Sequence, residues 1–186
     1  MIKTFSTVTF LLMLLTSVSA QAPSRDMEKE KPIWAELQTI APDSVENFKA
    51  ATAAMDSDNY EEAARLYEEV RKKAPDFPPV LRRLGMSLVH SGKTESGFQF
   101  LERAVEIDRS PDNLFSLAWT LAYPRPGQEG TREQKWRALQ LLKEAVRSPK
   151  SDGDDLALLA QLALDLDQID DFRRSTESLV AKYPDL

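Results

Sequence analysis

The sequence predicts an all-α fold, a solenoid built from stacked antiparallel pairs of helices. One observation is internal similarity: LRRLGMSLVH at residues 81–90 matches LFSLAWTLAY at residues 114–123, with an offset of 33 residues. The same spacing of apolar and small residues recurs at Leu159, Leu162, Ala163 and Leu166, and more weakly at Ala51 and Ala54. A second observation is that each copy contains two amphipathic helical patterns separated by a short polar break. Because one such pair cannot bury its apolar face alone, several pairs are expected to stack.

The first part of the chain predicts export. A basic start at residues 1–3 is followed by an apolar run over residues 8–15 and by small residues up to Ala20, an order typical of a secretory signal peptide. The alternative, a membrane-spanning helix, would need roughly 20 apolar residues. We therefore expect a signal peptide over residues 1–20, cleavage after Ala20, and a periplasmic or secreted protein without membrane insertion after cleavage.

The segment between the signal peptide and the repeats is predicted to contain a leader and a cap. Residues 21–32 (QAPSRDMEKEKP) are polar, charged and bounded by prolines, which favours a flexible leader. From Ile33 onward, apolar residues recur at the spacing of one helix face, which predicts a short capping helix within residues 33–43.

Composition narrows the function. The chain contains no cysteine, which excludes disulfides, thiol catalysis and zinc-thiolate sites. The formal net charge is −6, and loss of the single basic residue of the signal peptide, Lys3, would make it −7. Such a charge disfavours binding to nucleic acid or to anionic lipid.

Residues 44–186 are predicted to form a repeat domain of about four units. Their expected bounds are 44–77, 78–110, 111–153 and 154–186. The third unit is longer because it contains an insertion, PRPGQEGT at residues 124–131, whose prolines and glycines predict a projecting loop.

Two stretches resemble a known family. NYEEAARLYEEVRKKAPDF at residues 59–77 and LRRLGMSLVHSGKTESGFQFLERAVEIDRSP at residues 81–111 are similar to tetratricopeptide repeats (TPRs), whose pattern has a small residue in each helix and a proline near the unit end. The resemblance implies a right-handed superhelix in which the first helices of successive units line a concave groove that binds a protein segment.

The groove residues follow position by position from that resemblance. They are Phe48, Lys49, Thr52, Met55, Arg82, Arg83, Met86, His90, Phe115, Ser116, Trp119 and Tyr123. We expect an apolar, aromatic groove with a basic spot, in which Arg82 or Arg83 meets an acidic side chain of the partner. The alternatives are that Phe115 and Trp119 belong to the core between units and that the two arginines lie on a solvated face.

The other chemical motifs have simpler interpretations. Ser91-Gly92-Lys93-Thr94 ends like a phosphate-binding loop, but such a loop needs a glycine where this chain has Ser87, and the preceding residues have helical periodicity. We therefore expect a turn between two helices. His90 is the only histidine, so a triad or metal site that needs two is excluded.

The sequence thus predicts a non-catalytic interaction module, without cofactor or metal, that binds another protein or a peptide in its groove. The alternative is a structural repeat protein that associates with itself through the ends of the stack, as a homo-oligomer.

Overall fold

The computed structural model describes residues 25–184, and their regular structure is entirely helical. The helices are α1 (Met27–Ile40), α2 (Val45–Asp56), α3 (Tyr60–Arg71), α4 (Pro78–His90), α5 (Thr94–Ile107), α6 (Pro111–Ala122), α7 (Arg132–Ala145), α8 (Gly153–Asp165) and α9 (Ile169–Lys182), with a 3₁₀ turn at Pro42–Ser44. The strongest contacts join α2 to α3, α4 to α5, α6 to α7 and α8 to α9. The predicted fold class, an all-α helical repeat solenoid, is confirmed. The predicted signal peptide lies outside the described residues.

The same turn separates the two helices in three of the pairs. One residue with positive φ lies in each turn: Asp58 at 58°, Gly92 at 91° and Asp167 at 59°. The next backbone N–H then donates to a carbonyl of the preceding helix, as in Lys93 N to Leu88 O at 2.8 Å. This left-handed closure satisfies a helix carbonyl that would otherwise lack a donor. Ser91-Gly92-Lys93-Thr94 lies in this turn and the start of α5, which confirms the turn interpretation.

Small residues let the paired helices approach closely. An added Cβ on Gly85 of α4 would lie 2.7 Å from both the carbonyl oxygen of Gly97 and the Cγ of Leu101 on α5. Fully buried alanines take the corresponding places in two other pairs, at Ala51 with Ala63 and at Ala118 with Ala138. Leucines fill the space between successive pairs, so the core runs along the stack as two adjoining apolar clusters.

The first helix begins earlier than predicted. Asp26 caps α1 by accepting the N–H of Glu28 at 2.9 Å, and the helix runs through Pro32 to Ile40. Glu30 is only 2% exposed. The prediction of a flexible leader is therefore wrong for residues 27–32, because they are helical and because Lys29 and Glu30 contact Asp152 and Arg83 far along the chain. The rest of the predicted leader, residues 21–24, lies outside the described part.

None of the helices within residues 25–184 is both long and apolar enough to cross a membrane.

Candidate functional site

An open groove of about 680 Å³ runs across the first helices of three successive pairs, α4, α6 and α8. Four of its residues were predicted from the sequence, namely Met86, Phe115, Trp119 and Tyr123. Four more come from α8 and were not predicted, namely Asp154, Ala157, Leu158 and Gln161. The walls are therefore apolar and aromatic, with polar groups along the α8 side.

An aromatic ladder forms the α6 wall of the groove. Phe115 and Trp119 are four residues apart and so lie on one face of the helix, and Tyr123, the residue that caps its C-terminus, follows four residues later beside Trp119. Their ring centroids are 6.1 Å apart for Phe115 and Trp119 and 5.1 Å apart for Trp119 and Tyr123. Trp119 is 40% exposed, whereas Leu117 on the core side is 1% exposed. Trp119 is thus not a core residue, and Phe115 is half-buried against the core while its ring also lines the groove.

The insertion in the third pair borders the same surface. Residues 125–129 of the loop lie against Trp119, Tyr123 and His90 around a second open cavity of about 410 Å³. The loop is fastened where Gly130 N donates to Ala122 O at 2.7 Å. The ladder therefore lies between two cavities, one towards α8 and one towards the loop.

The structure does not place Arg83 in the groove as a free cation. Its side chain is 4% exposed and donates to Glu30 Oε2 at 3.0 Å and to Thr52 Oγ1 at 2.9 Å. Its guanidinium also lies over the Phe48 ring, 4.8 Å from the ring centroid. Phe48 is fully buried, and Thr52 is bonded to Tyr67 at 2.8 Å. The prediction that Phe48, Thr52 and Arg83 offer a surface to a partner is therefore wrong.

Arg82 is likewise occupied by its own chain. It is 8% exposed, donates to Asn113 Oδ1 at 3.3 Å and lies 3.6 Å from a carboxylate oxygen of Asp112. Burial lowers the pKa of Arg82, while the nearby charge of Asp112 opposes that shift. Ser116 is also buried and donates back to Asp112 O at 2.8 Å. The Arg82 contacts connect α4 to α6, so Arg82 and Arg83 do not form the predicted basic spot.

The other predicted positions lie beside the groove. Lys49 pairs with Glu46 at 2.8 Å and lies over the Trp34 ring, and Met55 packs against the N-terminal core cluster. His90 stacks on Tyr60 with ring centroids 4.5 Å apart, and its Nδ1 has no hydrogen-bond partner among the described residues. Burial lowers the pKa of His90. These three residues position neighbouring helices and do not line the groove between α4, α6 and α8.

The start of α1 crosses the same side of the stack as the groove. Arg25 pairs with Asp56 at the end of α2, and Lys29 Nζ lies 2.6 Å from Asp152 Oδ2 at the start of α8. Together with the Glu30 contact to α4, these pairs extend from the first helix pair to the last. The N-terminal segment thus closes the concave side over α2 and part of α4 and leaves the aromatic ladder accessible.

Comparison with known proteins finds a similarity over part of the chain. Residues 48–113, about a third of the sequence, match the family model described as tetratricopeptide repeat. No curated protein matches the chain. The matched residues cover α2 to α5 and the start of α6, so α8 and most of the groove lie beyond them. Tetratricopeptide repeats generally mediate interactions between proteins and are typically non-catalytic. The match supports a TPR protein.

Proposed function

We propose that the protein is a non-catalytic interaction module that binds a segment of another protein in the groove between α4, α6 and α8. The observation behind this proposal is Trp119, a large aromatic side chain that is 40% exposed in the middle of an apolar groove. Contact between a large aromatic side chain and water is unfavourable, and burial of tryptophan is among the largest single contributions to the stability of protein interfaces.

The groove suits side chains of a peptide or a helix. Its volume, about 680 Å³, lies within the range of ligand sites in proteins, roughly 300–1,000 Å³. Met86, Leu158 and the ladder offer apolar contacts from three different helices. Methionine and aromatic rings adapt to varied apolar partners, which favours a segment held by a few anchoring side chains.

Site-specific photo-crosslinking tests this function in the producing cell. A benzoylphenylalanine in place of Trp119 should form an adduct with one other protein, identified by mass spectrometry. The same probe at Gln99, an exposed position on α5 outside the groove, is the matched control. Identical adducts at both positions, or none at position 119, would contradict groove binding.

Self-association through the end of the stack is the second candidate. Ile169 and Val180 on α9, the last described helix, are 62% and 67% exposed. A second copy packed on this face would cover them. The probe at Ile169 should then crosslink the chain to itself, and the sedimentation coefficient should rise with concentration.

We further propose that the protein is exported, on the basis of the residues before Arg25. If the signal peptide is removed after Ala20, the intact mass of the exported protein will correspond to a first residue at Gln21. A mass that retains Met1 in a membrane fraction would show that the apolar run is an anchor.

A further inference from the structure

Three carboxylates lie at one end of the groove. Asp154 lines it at the start of α8, Asp152 is the N-cap of α8, and Asp112 lies in the first turn of α6. Helices α6 and α8 are both first helices of their pairs, so their N-termini lie at the same end of the groove. Within residues 25–184 no cluster of acids has the arrangement of a metal site. The cations that lie beside these acids are side chains of this chain, Arg82 at 3.6 Å from Asp112 and Lys29 beside Asp152.

Lys29 of α1 already supplies such a cation. Its ammonium lies 2.6 Å from Asp152, and this hydrogen bond raises the pKa of Lys29, with further contributions from the charges of Asp112 and Asp154. The Lys29 and Asp152 side chains are 57% and 37% exposed. Exposed ion pairs contribute little to stability, because water and salt screen the two charges. A cation of a partner can therefore replace Lys29 beside Asp152 at little cost in free energy.

Displacement of Lys29 would not release α1. The helix is held by buried contacts, namely Glu30 with Arg83 and the fully buried Leu37. At the other end of the groove, Arg125 and Glu129 have opposite charges and lie in one cavity. Arg82 and Arg83 are paired with side chains of their own chain, so the charge that the groove offers a partner is the negative charge of Asp154 and its neighbours. This agrees in sign with the net charge of −6.

From this we propose that the occupant of the groove is a segment in which a lysine or arginine closely precedes or follows an aromatic or large apolar side chain. The apolar side chain contacts Trp119, Phe115 and Leu158, and the cation replaces Lys29 beside Asp152 and Asp154. This inference rests on the proposed function and specifies the chemistry of its partner.

The geometry also limits the spacing in such a segment. Asp112 acts on Lys29 together with Asp152 and Asp154 and so marks the position of the acids along α6. It lies seven residues before Trp119, which corresponds to a rise of about 10 Å at 1.5 Å per residue. An extended chain covers that distance in about three residues. The basic and apolar side chains are therefore expected two to four residues apart.

A random linear peptide library displayed on phage and selected against the purified protein tests the proposal. Selected peptides should be enriched in Lys or Arg at that spacing from Trp, Phe, Tyr, Leu or Met. Their affinities are then measured by fluorescence anisotropy at low and high salt. Asp154→Asn should weaken binding about two- to fivefold and reduce its salt dependence, while Lys29→Ala should strengthen binding by a similar factor.

Asp170→Asn is the matched control, because Asp170 also lies in the first turn of a helix, α9, but away from the groove, and pairs with Arg173 of its own helix. Asp170→Asn should leave the affinity for the selected peptides unchanged. Selected peptides rich in Asp or Glu, or unchanged affinity in both Asp154→Asn and Lys29→Ala, would overturn the inference. If Trp119→Ala still abolished binding in that case, the groove function would stand. Binding that ignores Trp119, or failure to select any peptide, would overturn both.

Discussion

Glu30 and Arg83 form a buried ion pair across 53 residues of sequence, with Arg83 Nη1 3.0 Å from Glu30 Oε2. Both side chains are at most 4% exposed. Thr52 and the face of Phe48 complete the surroundings of the guanidinium. The pair joins the start of α1 to the first helix of the second pair, which makes α1 an integral part of the stack.

We predict that Arg83→Ala lowers the free energy of unfolding by about 3–5 kcal/mol, because the buried Glu30 carboxylate loses its buried cation and keeps the longer, partly exposed contact with Arg25 at 3.4 Å. Urea denaturation followed by circular dichroism measures the change. The double variant Glu30→Leu/Arg83→Met is the control, since removal of both charges should restore stability to within about 1–2 kcal/mol of the original protein. If Arg83→Ala unfolds like the original protein, the ion pair does not hold α1 in place.

The fate of Arg83 shows where sequence reasoning fails. Leucine spacing over ten residues is a local pattern, and it predicted the helix pairs and the exposed face of α6 that bears Trp119. The partner of Arg83 is Glu30, in a segment so charged that solvent was the expected environment. Periodicity contains no information about which distant charge reaches a given side chain, so the basic spot was inferred where the structure has a closed pair.

The α8 side of the groove was missed for a different reason. Leu114 of α6 corresponds to Leu159 of α8, an offset of 45 residues. The same offset applied to Ser116 leads to Gln161, which lines the groove. The sequence therefore contained the signal. The same offset, applied to the groove positions predicted on α6, would have led to the α8 side of the groove. Ala157 and Asp154 lie one and two turns earlier on the same face.

Trp119 and Leu117 provide a matched pair on α6. Leu117→Ala removes a fully buried side chain and should cost about 2–5 kcal/mol of stability. Trp119→Ala removes mainly the contacts with Phe115 and Tyr123 and should cost about 1 kcal/mol. Partner or peptide affinity should show the reverse order, with a loss of about 2 kcal/mol for Trp119→Ala. Equal losses of stability in the two variants would show that Trp119 is packed in the core like Leu117.

Gly85 tests the close approach of α4 and α5. The added methyl of Gly85→Ala would meet the Gly97 carbonyl at 2.7 Å, and backbone cannot move aside as a side chain can. We expect a loss of about 1–3 kcal/mol, despite the better helix propensity of alanine. Gly153→Ala, in the first turn of α8, is the control, because its methyl would meet only the Tyr183 ring, at 3.3 Å. Thermal melting of both variants gives the comparison, and an unchanged melting temperature for Gly85→Ala would contradict the close approach.

The lowered pKa of Asp171 makes the stability of the protein depend on pH. Lys143 of α7 donates to Asp171 of α9 at 2.9 Å, and this hydrogen bond lowers the pKa of Asp171, with a further contribution from Arg174. A pKa lowered on folding means that the stabilisation is complete above the unfolded value of about 3.9 and is lost as the pH falls through the folded value.

Asp171→Asn should therefore lower stability at neutral pH, by less than about 1 kcal/mol because solvent screens the pair, and should reduce the further loss below about pH 4. Lys143→Met removes the donor from α7 but leaves Arg174 at 2.8 Å from Asp171, so it should lower stability at neutral pH and reduce the loss in acid only in part. Thermal melting between neutral pH and pH 3 measures these changes. If Asp171→Asn is destabilised at neutral pH but keeps the full loss in acid, the acid-sensitive group is another carboxylate and the contact from α7 to α9 acts through packing alone.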